Sequence, residues 1–354
     1  MKRILLGFLL LIISVSLYAQ QRPQYTMYMA NPYLVNPAMA GSEDFVDIKA
    51  GYRNQWTGWG DAAPKTTYLS AHAPVGKPHT EYHHYSDRKN WLGVGGKILN
   101  DQTGPISSTT GLLTASYDFG ISKGFGYGGL AHRDGIRAVV GLDFGVQQYE
   151  LNINNFNDPT AVNISEDPAV TSSTTINPDA NFGAWIYQEN LFFLGFSSMQ
   201  ILGNDVNLDY VEDKATISLD DRNVLARLNR HYFVTAGYKF LIGPNLGFYP
   251  SFMMKKVVGA PMSWDINGKL DYLDGQYWAG ISYRHGDALN LLIGTAINYR
   301  YEIAYSYDMT VNAIREYSNG SHEIMIGYRI PFKFRMNNPG EHNNRMGKHK
   351  THHW

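Results

Sequence analysis

Ile136-Arg137-Ala138-Val139-Val140-Gly141-Leu142-Asp143-Phe144-Gly145-Val146-Gln147 is the stretch that decides the fold. Ile136, Ala138, Val140, Leu142, Phe144 and Val146 form one apolar series. Arg137, Val139, Gly141, Asp143, Gly145 and Gln147 form a series that is mostly polar or small. Successive strand side chains point to opposite sides, so a long alternation predicts a strand between two different environments. The pattern recurs at 46–53, 231–240, 264–271, 277–284 and 323–330. A soluble antiparallel sheet alternates as well. Two features favour a membrane barrel instead. Tyr, Trp and Phe gather near the strand ends, as in interfacial girdles. The runs are also about 8 to 12 residues long, the length with which a tilted strand crosses hydrocarbon. Closure of the sheet would then pair every backbone group inside the bilayer.

Fourteen strand candidates begin near residues 45, 66, 91, 108, 135, 181, 191, 231, 246, 262, 276, 288, 301 and 322. The expected fold class is all-β, a transmembrane antiparallel barrel of about 14 strands. Connections should alternate between long loops and tight turns. Stretches 150–180, 199–230 and 309–320 read as long. Gln188-Glu189-Asn190, Ile242-Gly243-Pro244-Asn245, Asp274-Gly275 and Asn298-Tyr299-Arg300 read as tight. Connections 74–90 and 120–134 are longer than the tight-turn side should carry. An even strand number returns both ends of the barrel to one side, expected to be the periplasm.

Composition narrows the function classes. The 354-residue chain has 25 Tyr, 16 Phe, 7 Trp, 35 Gly, no Cys and 17% charged residues. Average chains carry about 25% charge, so the deficit fits strands that give half their surface to lipid. A net charge of -1 argues against a nucleic-acid footprint, which needs a clustered basic face. Without Cys there are no disulfides, thiolate metal sites, cysteine nucleophiles or lipoprotein anchor. Met1-Lys2-Arg3, the apolar run Ile4 to Leu17, and Ala19 before Gln20 read as a secretory signal peptide cut after Ala19. The expected organisation is signal 1–19, an N-terminal segment 20–44, a barrel over 45–334 and a basic, His-rich tail 335–354.

The N-terminal segment contains Asn31-Pro32-Tyr33-Leu34-Val35-Asn36-Pro37-Ala38-Met39-Ala40-Gly41. Pro32 and Pro37 fix φ and bias the residues before them to extended or turn geometry. The segment therefore folds over rather than forming a strand. It either enters the lumen, with Tyr33, Leu34 and Val35 against interior side chains, or straps the periplasmic mouth. The first strand then ends Tyr52-Arg53-Asn54-Gln55-Trp56. These two motifs, with Leu228-Asn229-Arg230-His231-Tyr232, Ser306-Tyr307-Asp308 and Tyr317-Ser318-Asn319-Gly320-Ser321-His322-Glu323-Ile324-Met325, resemble the PorP/SprF family of the type IX secretion system of Bacteroidetes. The resemblance implies an outer-membrane barrel that supports secretion or surface attachment of a partner protein, in some members a gliding adhesin. It also implies contact with other secretion components in the periplasm and outer membrane. Asn31, Pro32, Asn36, Pro37, Gly41, Arg53, Asn54, Gln55 and Trp56 carry the family motifs.

Arg53, Lys97, Arg137, Asp143, Lys239, Lys255, Asp265, Lys269, Arg284, Glu302 and Glu323 fall on the predicted lumen side. Charge facing lipid is costly, so an inward ionic network is expected. Asp205, Asp209, Glu212, Asp213, Asp220 and Asp221 make an acidic loop without calcium-hand spacing. Asp205, Asp209 and Asp213 are candidate partner contacts, as are Arg345, Lys348 and Lys350 in the tail. His342, His349, His352 and His353 give that tail weak metal-binding character, and no metal or cofactor is expected. No Gly-x-Ser-x-Gly elbow or His-Glu-x-x-His pair occurs. Gly93-Val94-Gly95-Gly96 has no helix after it, so it is not a phosphate loop. A non-enzymatic barrel follows, acting through protein contact or, alternatively, as a channel for small or hydrophobic solutes.

Overall fold

A computed structural model describes residues 23–77, 90–122, 135–152, 173–188, 191–206, 226–273 and 275–331. Its strands are β1 (Phe45–Asn54), β2 (Lys65–Val75), β3 (Trp91–Thr103), β4 (Ile106–Gly120), β5 (Arg137–Leu151), β6 (Ser173–Gln188), β7 (Phe192–Met199), β8 (Asp205–Val206) and β9 (Ala226–Arg227). They continue as β10 (His231–Tyr238), β11 (Phe240–Gly243), β12 (Leu246–Val257), β13 (Ser263–Tyr272), β14 (Tyr277–Arg284), β15 (Ala288–Ile297), β16 (Tyr301–Thr310) and β17 (Ser321–Pro331). Each barrel strand pairs antiparallel with its neighbours in sequence. Three further ladders close the ring, β1 with β17, β10 with β7 and β10 with β12. β11 extends β10 along β12 after a break at Lys239, whose N–H donates to the Leu191 carbonyl (2.6 Å). The result is a closed antiparallel barrel of 14 strands. The short β8–β9 pair stands apart from it.

The two faces are inverted relative to a soluble protein. Leu113, Phe144 and Leu241 on the outside are 75%, 61% and 74% exposed, whereas Arg53, Asp143, Glu302 and Glu323 inside are at most 2% exposed. An apolar outer belt with every barrel strand paired on both sides is what a bilayer demands. Tyr238, Tyr272, Tyr277 and Tyr301 stand outward at strand ends on one rim; Tyr52 and Tyr283 lie near the other. Other aromatics, among them Tyr68, Trp91, Trp185 and Trp278, point inward and are buried.

The first strand starts and the last strand ends on one rim, where Phe45 pairs with Pro331. Tight turns Pro244-Asn245 and Asn298-Tyr299-Arg300 share this rim, which we call the turn rim. Loops 55–64 and 311–320 lie on the opposite, loop rim. Asn298 and Tyr299, the central residues of the turn that the Arg300 N–H closes on the Ile297 carbonyl (3.1 Å), both have positive φ, as a primed turn between twisted strands requires.

One strand boundary departs clearly from the sequence pattern. β6 begins at Ser173 rather than near 181, and its ladder with β5 runs out to Leu151 opposite Ser173. Ser173-Thr174-Thr175-Ile176-Asn177-Pro178 lacks apolar alternation, which hid it. Pro178 is tolerated because the β6–β7 ladder reaches only to Phe182, so one flank of β6 is without a ladder there. β8 and β9 likewise fall where a continuous loop was expected.

Candidate functional site

Residues 24–43 occupy the lumen. Three 3-10 turns, Met27–Met29, Pro32–Leu34 and Pro37–Met39, follow one another, and the second and third begin on proline. Proline suits the first position of a helical turn because its φ is already set and its missing N–H has no partner to lose. Asn36 caps the third turn by accepting the Ala38 N–H (3.0 Å). Its amide donates to the Ala184 and Phe196 carbonyls of the wall (3.2 and 3.3 Å). Gly41, at φ +69°, turns the chain towards β1.

A turn-rich segment taken out of water leaves main-chain groups that must be paired, and the wall supplies the partners. Lys49 donates to the Ala30 carbonyl (2.8 Å), Lys97 to Tyr33 (3.0 Å), Ser197 to Val35 (2.5 Å), Ser116 to Ala40 (2.7 Å) and the Trp91 indole to Gly41 (3.1 Å). Glu323 accepts the Thr26 and Met27 N–H groups (2.8 and 3.3 Å), and His72 Nδ1 accepts that of Gly41 (3.2 Å). These wall residues come from six different strands, β1 to β4, β7 and β17, and Asn267 of β13 donates to the Tyr28 hydroxyl from across the lumen (2.6 Å).

Glycines shape the seat. A Cβ added at Gly183 would stand 2.0 Å from Asn36 Oδ1, one at Gly93 2.0 Å from the Ala40 oxygen, and one at Gly141 2.5 Å from Ala38 N. Such distances lie well inside van der Waals contact, so only a glycine wall admits the Pro37–Ala40 turn.

Ion pairs complete the fit. Arg53 reaches Asp308 (2.7 Å) and Glu323 (3.4 Å) and donates to the Thr26 hydroxyl (3.1 Å). The Thr26 hydroxyl donates in turn to Asp308 (2.7 Å), and Tyr68 donates to the other Glu323 oxygen (3.1 Å). Lys97 pairs with Asp143 (2.9 Å) and lies 4.4 Å from the centre of the Tyr33 ring. Tyr33 hydrogen-bonds Thr114, which donates to Asp143 (2.6 Å). Arg284 pairs with Asp265 (3.3 Å) and Arg329 with Glu302 (2.7 Å). Among the described residues, no group of three or more His, Asp or Glu side chains is placed to hold a metal ion.

The family-motif residues divide into two places. Asn31, Pro32, Asn36, Pro37 and Gly41 lie along the lumen segment, and Arg53 faces the same lumen, where it donates to Thr26 of that segment. Asn54, Gln55 and Trp56 instead lead β1 into loop 55–64 on the loop rim. There the Trp56 N–H donates to the Ser321 hydroxyl (3.0 Å), and the Thr57 N–H to the Gly320 carbonyl (2.8 Å). Asp205 opens β8. Asp209, Asp213, Arg345, Lys348 and Lys350 lie outside the described residues, as do the signal segment and the tail. Sequence reasoning missed the seat made by Gly93, Gly141 and Gly183, and missed Asp308 and Ser197 as partners. Their inward parity along the strands was the available signal.

The family described as type IX secretion system membrane protein PorP/SprF matches residues 17–328. No curated protein matches the chain. Among solved structures, a Pseudomonas aeruginosa FadL homologue is similar at 12% identity, covering 89% of this chain and 96% of that one, with a TM-score of 0.41. The translocator domain of the autotransporter NalP from Neisseria meningitidis is similar at 6% identity, covering 81% and 87%, with a TM-score of 0.38. A mutant Rh. blastica porin is similar at 8% identity, covering 81% and 99%, with a TM-score of 0.30.

Proposed function

The chain belongs to the type IX secretion system PorP/SprF family of membrane proteins, and from that premise we propose that it supports export or surface attachment of a partner protein by protein–protein contact. The observation that carries this reading is the filled lumen. The wall pairs with the backbone of residues 26–41 and buries Tyr33, Ala38 and Met39 to within 2%. Solute transport would need that space, which supports contact surfaces over a pore. The turn rim faces the periplasm in this reading, so the basic tail after Pro331 meets secretion components there. The loop rim, with Asp205, Asp209 and Asp213 in the connection between β7 and β10, meets the exported cargo. A large adhesin or gliding-motility protein is the class of cargo the family suggests. Family and barrel are of a membrane-component kind, and the reading assigns no catalysis.

Affinity purification from native outer membrane is the test. A large secreted protein should co-purify with the intact chain and be lost when connections 152–172 and 200–230 are replaced. Recovery of the barrel alone, with ligand-dependent uptake of a small solute by the isolated protein, would overturn the proposal in favour of a channel.

A further inference from the structure

The lumen segment has a direction. Thr26 is bound by Arg53, Asp308 and Glu323. Arg53 is the penultimate residue of β1, Asp308 lies two before the end of β16, and Glu323 two after the start of β17. All three are therefore at the loop rim. Pro23 and Gln24 line a pocket with Ser263, the first residue of β13, and with Arg284, the last of β14, again at that rim. The other end of the segment is fixed at the turn rim. Gly41 is bound by Trp91, the first residue of β3, and Lys77, just past the end of β2, reaches the Ser42 carbonyl (2.7 Å) and the Asp44 carboxylate (2.6 Å). Between these anchors the chain runs through the middle of the lumen: Tyr28 meets Asn267, Asn31 meets Ser70, and Ala38 rests on Gly141, while Leu34 and Val35 line the underside of the pocket at Pro23 and Gln24.

We infer that the mature chain threads its own barrel, so that its amino terminus is displayed at the loop rim, opposite the rim on which β17 ends at Pro331. An even strand count places Phe45 and Pro331 together, but the segment ahead of Phe45 carries the chain back across the membrane. The two ends of one polypeptide then address opposite sides, whichever side each rim faces. Pro23 and Gln24 become part of the loop-rim surface, beside the pocket that they help to line.

The chain has no Cys, so single-cysteine variants report accessibility cleanly. Asp61→Cys marks the loop rim and Asn245→Cys the turn rim; both positions are exposed. Gln21→Cys and Gln24→Cys report the amino terminus. Each variant is exported in cells, checked for heat-modifiable migration as a folded barrel, and treated with a membrane-impermeant maleimide before and after permeabilisation. The inference expects Gln21→Cys to follow Asp61→Cys in both conditions and to differ from Asn245→Cys. Labelling of folded Gln21→Cys in step with Asn245→Cys would overturn it, as would no labelling at either position 21 or 24 after permeabilisation. Neither outcome depends on whether cargo co-purifies.

Discussion

Arg53 is 1% exposed and faces two carboxylates that are equally enclosed. Burying such a group costs several kcal/mol per ion, which a pair recovers only with good geometry and extra hydrogen bonds. Here the Thr26 hydroxyl, the Thr26 and Met27 amides and Tyr68 supply those bonds. Removing the guanidinium strands Asp308 and Glu323, so Arg53→Ala should cost about 3 to 5 kcal/mol, read as a lower urea midpoint for unfolding of the detergent-purified barrel. The glycine seat gives a steric counterpart. Gly183→Ala forces a Cβ to 2.0 Å from Asn36 and should destabilise by about 1 to 3 kcal/mol, the usual range for overpacking. Gly111→Ala, where a Cβ has nothing within 4 Å, should be near neutral in the same assay. The inward parity of Arg53 was legible in the alternation around it. The role of Gly183 was not, because alternation tells which way a residue faces and not what stands across the lumen.

At the scale of elements, period-two patterning located the barrel strands, most of them to within about two residues. It failed at β6, where Thr-rich sequence and Pro178 carry the strand past its neighbour β7. The N-terminal segment was legible as turns because Pro32 and Pro37 dictate local geometry. Its fit in the lumen depends on distant wall residues such as Ser197 and Gly93, which no local rule connects to it. Asn36 joins the two levels, capping its own turn while donating to two wall carbonyls. Asn36→Ala should loosen the third turn by about 1 to 2 kcal/mol. Limited proteolysis checks this: cleavage within 35–43 should rise while the barrel strands stay resistant.

For the whole molecule, barrel closure and the filled lumen follow from one arrangement. The inner wall is polar because lipid excludes charge from the outside, and that polarity is answered by the chain's own N-terminal segment rather than by bulk water. The proposed role in secretion accordingly rests on the rims and loops of the 14-strand barrel. Ion conductance across a planar bilayer tests that directly, comparing the full mature chain with a variant lacking residues 24–43, both confirmed as folded by heat-modifiable migration. The full chain should show no steady conductance steps, and the deletion should open them. Steady conductance from the full chain, unchanged or reduced by the deletion, would contradict the account.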